Sequence, residues 1–325
     1  MFDALRSPRG RRYLSQALKI AVSMILLAAL LRGVDWRHIL VELRRAHPVW
    51  VGAAWALFVA GLALRAWRWD VFLAASDIHV PVSVLTRWYF IGGFFNTVLP
   101  TGLGGDVVKT YVLARYSSRP GAAAGSVFAD RFSGILALLL IGAVALLVAP
   151  GLVTPLTAGL IWLLLAGALA ALAVMAQRDL RERLRQRVPG LARTKLGQAL
   201  LDAIPAYGIR PILRALLISW IFDALLIGVN LCLARALGLD VALPYFLIFV
   251  PLISVSVLLP SVGGLGVREL SYVALFGQAG VAPATATALS LLYYAVVVGS
   301  GLVGGLLYIL PMSEPSPVIS VSRRE

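Results

Sequence analysis

The chain has 325 residues, 60% hydrophobic and 14% charged, with a net charge of +14 and a mean hydropathy of +0.89. Soluble domains lie nearer one-half apolar and one-quarter charged, so a soluble fold is excluded; the longest polar stretch, about 177–211, is too short to fold alone. The positive charge reads as arginine gathered in cytoplasmic loops, with some contact to anionic lipid, and nucleic acid is excluded as a partner because no basic soluble domain exists to carry it.

Arg6, Arg9, Arg11 and Arg12 precede an apolar run from Ile20 to Leu31. No small-residue cleavage site follows, so residues 15–32 are read as a retained first span with a cytoplasmic N-terminus. Residues 35–46 place Trp36, Ile39, Leu40 and Leu43 on one helical face, as in an interfacial amphipathic helix. A second span covers 49–73 and ends in Arg65, Trp67, Arg68, Trp69 and Asp70, the residue types of a membrane–water boundary. The run 81–100 is apolar up to Asn96-Thr97-Val98-Leu99-Pro100-Thr101-Gly102-Leu103-Gly104-Gly105-Asp106, a stretch of helix breakers inside apolar sequence. Spans follow at 121–149 and 152–176, joined by Pro150-Gly151. The basic segment 177–211 comes next, then a span at 212–236 with Asp223, Asn230 and the single cysteine, Cys232. Residues 241–259 reach a second break, Leu259-Pro260-Ser261-Val262-Gly263-Gly264-Leu265-Gly266-Val267-Arg268-Glu269; 267–279 lead away, and 283–311 form the last span.

Backbone that leaves the helix at membrane depth is tolerated only inside protein or beside a watery cavity. The positive-inside rule decides how the first break is threaded. If 81–100 crossed the bilayer, the basic segment 177–211 would face outward. If 81–119 enters and leaves on one side, that segment faces inward, so 81–119 is read as a re-entrant hairpin from the cytoplasmic side. The same parity makes 241–280 a hairpin from the opposite side and leaves the C-terminus cytoplasmic. The two Leu-Pro pairs are offset by 259 − 99 = 160 residues, and the same offset carries span 49–73 onto 209–233 and 121–149 onto 281–309. The expectation is an all-α polytopic membrane protein with about six full spans and two re-entrant broken hairpins in an inverted-topology repeat. It forms a single membrane domain: 15–48 first span and interfacial helix, 49–149 repeat A, 150–211 connecting span and basic loop, 212–311 repeat B, 312–325 tail.

Charge at mid-membrane costs about 2.5–3.5 kcal/mol on insertion scales and needs a partner or a purpose. Asp106, Lys109, Arg268 and Glu269 flank the breaks; Asp130, Arg131 and Asp223 lie in the spans beside them. Neighbours on a helix point about 100° apart, so Asp130 and Glu269 are expected to pair away from Arg131 and Arg268. The pairings expected are Asp106 with Arg131, and Glu269 with Lys109 or Arg131. Glycine-rich turns at helix starts open backbone N–H groups to anions. Asn96, Pro100, Thr101, Gly104, Gly105, Lys109, Arg131, Pro260, Ser261, Gly263, Gly264, Gly266 and Arg268 are therefore the candidate substrate-binding residues for a lipid phosphate. Asp106, Asp130, Asp223 and Glu269 balance charge or bind a proton. The alternative is that the glycines serve packing and the ion pairs hold the hairpins. Gly121–Gly125 and Gly301–Gly305 read as close helix contacts. Gly104 to Thr110 lacks the glycine before lysine and the preceding strand of a nucleotide-binding loop, so nucleotide hydrolysis is rejected. Neither Cys232 nor His38, His47 and His79 supports a metal or disulfide, and no cofactor is expected.

Phe94 to Asp106, Asp130-Arg131-Phe132-Ser133-Gly134 and Pro260 to Glu269 together resemble the flippase-like family, that of the lysylphosphatidylglycerol synthase transmembrane region. The resemblance implies a bacterial or archaeal inner-membrane protein that moves a lipid between leaflets. It also implies that aminoacyl transfer is not expected here, because the synthase domain that follows the membrane part in full-length synthases has no counterpart in this chain. Lipid flipping without ATP is the expected function, on an anionic lipid or a lipid-linked sugar, and no enzymatic activity is expected. The rival expectations are an intramembrane transferase acting on a lipid-linked substrate, and a non-transporting accessory subunit that partners an envelope-biosynthesis enzyme.

Overall fold

The computed structural model describes residues 36–99, 104–176, 186, 207–259 and 264–310. The expected first span, the Leu-Pro tips with Pro100, Thr101, Pro260, Ser261 and Gly263, most of the basic loop and the tail lie outside the described residues. What is described is helical: α1 Trp36–Arg45, α2 Pro48–Ala74, α3 Val82–Val98, α4 Gly104–Ser117, α5 Pro120–Val148, α6 Pro155–Ala176, α7 Ile209–Ala236, α8 Leu243–Ser256, α9 Val267–Phe276 with a 3-10 turn at Gly277–Ala279, and α10 Pro283–Ile309. Proline opens α2, α5, α6 and α10, where its missing N–H would have had no partner in any case.

Five of these helices, α2, α5, α6, α7 and α10, are long and apolar enough to cross a bilayer; the protein is a multi-pass membrane protein. The helices beside the breaks are shorter. α3 and α8, with 17 and 14 residues, reach about 26 and 21 Å at 1.5 Å per residue, less than the ~30 Å hydrocarbon core.

Hydrogen bonds outside the helices sort the helix ends into two groups. The Arg119 guanidinium donates to Ser76 O, the Tyr116 hydroxyl to His79 O, and Arg87 to Leu307 O and Leu310 O. These contacts join the end of α2, the start of α3, the end of α4 and the end of α10. The second group is made by His47 N–H donating to Ala236 O and by Gln278 bonding Thr154 and Thr157. The first contact ties the start of α2 to the end of α7 and the second ties the start of α6 to the 3-10 turn after α9; α2 and α5, which have their other ends at the first group, lead to them. The α3–α4 hairpin thus has both feet in the first group, and the α8–α9 hairpin follows and precedes elements of the second.

Adding 160 to α2, α3, α4 and α5 gives 208–234, 242–258, 264–277 and 280–308, against observed bounds of 209–236, 243–256, 267–276 and 283–309. Packing follows the same exchange. α3 lies on α4 and on α10, and α8 lies on α9 and on α5; α2 contacts α3, as α7 contacts α8; α2 and α7 pack on each other.

The larger apolar core joins α5, α7, α8, α9 and α10 through side chains such as Leu139, Ile227, Phe246, Phe249, Phe276 and Leu289. A second gathers Trp69, Leu85, Trp88 and Leu113 around the first hairpin. In α1, Ile39 is buried against the fold while Leu40 and Val41 are exposed, so Leu40 leaves the face it was expected to share. The α3–α10 crossing is closed by glycine. A methyl on Gly304 would overlap Phe90 O, and Gly301 and Gly305 lie against Thr97 and Phe94. Gly121 has open space around it, while Ala123 and Gly125 of the same stretch are buried, so the close contact there is made from the second half of the stretch.

Candidate functional site

Each hairpin turn is held from within. At the first, Asn96 near the end of α3 accepts the Gly105 N–H at 2.7 Å. A side chain on Gly105 would run into Gly92 O, so α3 and α4 are in backbone contact here. At the second, Gly264 and Gly266 both have φ +81°, a region that side-chain-bearing residues rarely occupy. Glu269 Oε2 accepts the Gly266 N–H at 2.6 Å, capping α9. The Gly105 and Gly266 N–H groups, expected to greet an anion, are thereby consumed inside the protein.

Behind the turns are four ion pairs. Asp106 bridges two cations, Lys109 Nζ at 3.0 Å and Arg131 Nε at 2.7 Å; the Asp106–Arg131 pairing is as the sequence suggested. Asp130 avoids its neighbour and pairs with Arg68 Nε at 2.7 Å, while the Tyr89 hydroxyl donates to its other oxygen and Arg68 Nη1 donates to Ser219 Oγ at 2.9 Å. Arg68 fits because Gly134 has no side chain where its guanidinium lies. Glu269 corrects the expectation. It pairs with neither Lys109 nor Arg131 but with adjacent Arg268, at 2.5 Å, and Arg268 Nε also donates to Ser290 Oγ. The 100° rule describes where side chains leave the helix, and a long arginine at the first turn folds back far enough to meet its neighbour.

The pairs surround a cavity of about 290 Å³. Asn96, Asp106, Lys109, Arg131, Asp223 and Arg268 line it, from both halves of the chain. Gly104, Gly105, Gly264 and Gly266 belong to the turns instead, and Asp130 and Glu269 stand behind the lining as counter-ions to Arg68 and Arg268. Two arginines read as boundary residues, Arg65 and Arg68, also line the cavity, and Arg68 is only 2% exposed while Trp67, on another face, is 51% exposed. Their spacing of three places both on one helical face, a signal masked by the tryptophans beside them. Tyr89, Tyr293 and Tyr294 join the lining; Lys109 Nζ lies 4.0 Å from the Tyr89 ring centre and the Arg268 guanidinium 4.3 Å from that of Tyr294. Rings that hold cations without neutralising them keep the cavity positive: five cations face four acids.

Comparison with known proteins agrees with the fold. A family model described as "Lysylphosphatidylglycerol synthase TM region" matches residues 16–305. A "UPF0104 membrane protein" of Methanothermobacter thermautotrophicus is 32% identical over 117 residues, and that match spans 35% of each chain.

Proposed function

From its membership of the lysylphosphatidylglycerol synthase transmembrane-region family, and from the site above, we propose that this protein moves a phosphate-bearing lipid between the leaflets of a bacterial or archaeal cytoplasmic membrane without ATP. The observation that carries this reading is the cavity itself: five basic side chains, drawn from both hairpin repeats, around a space of about 290 Å³ in an otherwise apolar helical body. Buried positive charge is expensive in a bilayer, and an arginine–phosphate contact recovers much of that cost.

Lys109, Arg131 and Arg268 hold the phosphate or tune its neighbours, and the tails remain in the lipid. Asp106, Asp130 and Glu269 balance charge, and Asp223 is considered below. The repeat supplies the motion. With feet in opposite groups of helix ends and matching bounds at an offset of 160, the hairpins fit an inverted repeat that rocks about the cavity. The first group of ends is then cytoplasmic, as are both termini. The ion pairs also weigh against an intramembrane transferase, because Asp106 and Glu269, the acids such chemistry would draw on, are each fastened to a cation.

The test is reconstitution in liposomes carrying fluorescently labelled phosphatidylglycerol, with quenching of the outer leaflet by an impermeant reagent. Wild type is expected to exchange the label faster than protein-free liposomes, with no need of nucleotide. Arg131→Gln, at the partly open edge of the cavity, is expected to slow exchange about tenfold, the loss of one charge-assisted contact. Exchange by wild type at the protein-free rate refutes the proposal.

A further inference from the structure

Of the five cations that line the cavity, four are neutralised in place: Arg68 by Asp130, Lys109 and Arg131 by Asp106, Arg268 by Glu269. Arg65 is the exception. Among the described residues it forms no ion pair, and its buried Nε has no hydrogen-bond partner. The guanidinium is carried instead by two aromatic faces, 5.0 Å from the ring centre of Tyr89 and 5.4 Å from that of Phe222. Such faces orient a cation and leave its N–H donors free.

Asp223 is the complementary exception. It is on α7, the helix that packs along α2, and it lines the same cavity. It is 1% exposed, its Oδ2 has no hydrogen-bond partner, and it forms no ion pair among the described residues. Every other acid at this centre is bonded. A buried carboxyl without a partner is costly, and one that faces a cavity is explained by a guest that bonds it. The two exceptions do not satisfy each other: among the described residues no hydrogen bond or ion pair joins them, and the Arg65 Nε and Asp223 Oδ2 are both without a partner.

We propose that Arg65 and Asp223 belong to one head-group site. Arg65 joins Lys109, Arg131 and Arg268 on the phosphate, as the one of the four with no acid of its own among the described residues, and Asp223 accepts a hydrogen bond from a hydroxyl or ammonium group beyond it. The inference rests on the reading of the cavity as a lipid site, and it deepens that reading by naming the class of lipid: phosphodiesters whose head group carries a donor. Phosphatidic acid has no donor beyond its phosphate, so Asp223 stays unpaired and faces added negative charge. Asp223 is then the residue that rejects it.

Binding of three water-soluble dihexanoyl lipids, phosphatidylglycerol, phosphatidylethanolamine and phosphatidic acid, to the full-length protein in phosphatidylcholine nanodiscs tests this. The phosphatidylcholine of the nanodisc competes for Arg65 through its phosphate equally in every comparison, and its choline has no N–H or O–H to donate to Asp223. Wild type is expected to prefer at least one of the first two over phosphatidic acid by about tenfold, the scale of one hydrogen bond to a charged group. Asp223→Leu brings that ratio close to one. Asp223→Asn separates the two donors, because it still accepts from the glycerol hydroxyl but no longer attracts the ammonium. Arg65→Gln weakens all three lipids alike and leaves the ratio standing. Equal binding of all three by wild type overturns this inference alone, as does a ratio that survives in Asp223→Leu, or a uniform loss for all three in that variant. If none of the three binds, the lipid-site reading is overturned and this inference falls with it.

Discussion

The Arg68–Asp130 pair is the sharpest place to test how the polar centre is held. Both side chains are at most 2% exposed, and each has a second partner: Ser219 for Arg68 and Tyr89 for Asp130. The pair ties α2 to α5, with α3 and α7 contributing one hydrogen bond each. Asp130→Asn keeps the shape and removes the charge, leaving the Arg68 guanidinium uncompensated in the interior. Removing one member of a buried pair costs about 3–5 kcal/mol, and the same range is expected for Arg68→Met, which strands Asp130. The double variant loses both charges together and leaves only a small void beside Gly134, so it is expected within about 2 kcal/mol of wild type. The coupling between the two sites should therefore be at least about 4 kcal/mol in favour of the pair. Unfolding midpoints of the four proteins in mixed micelles titrated with denaturing detergent give this cycle. Additive single effects, or an Asp130→Asn cost below about 1 kcal/mol, would refute the idea that this pair fastens four helices.

Two further outcomes follow from the hairpins. Asn96→Ala removes the acceptor of the Gly105 N–H and is expected to lower stability by about 1–3 kcal/mol; hydrogen exchange at the start of α4 should quicken, and an unchanged rate there contradicts the turn described above. In a Cys232→Ser background, His79→Cys and Ala282→Cys place thiols at exposed positions before α3 and before α10. An impermeant thiol reagent applied to intact cells should label Ala282→Cys and reach His79→Cys only after permeabilisation; labelling of both from one side removes the inverted arrangement.

The long helices were legible because a bilayer writes a local rule into sequence. Ile209–Ala236 differs from its expected span by three residues at the start, and Pro283–Ile309 by two at the end. Proline stands at the start of Pro283–Ile309, where the constraint that places it involves only the first turn. The breaks were legible for the same reason: Leu-Pro followed by a cluster of glycines disfavours helix locally, by a lost backbone donor and by added chain freedom. Partners were less legible. Asp106 with Arg131 was legible because a charge beside the first break and one in the span that follows it need partners, and Arg131 points away from its neighbour Asp130. Glu269 was misassigned because rotamer length decided against helical angle, and Arg65 and Arg68 were missed because tryptophan beside arginine looks the same at a membrane surface as at a buried seam.

By itself, then, the sequence determined that this is a helical membrane protein of a given family, interrupted at two matching places, because hydrophobic length and helix breaking are properties of a short stretch of chain. Only the tertiary structure decided which charges are paired with one another across the helices and which face the cavity without an ion partner among the described residues. That choice depends on how α2, α5, α7 and the hairpins are rotated and set in depth against one another. No spacing along the chain records that rotation, and it is what leaves Arg65 and Asp223 unpaired at the edge of one cavity while their neighbours are bonded.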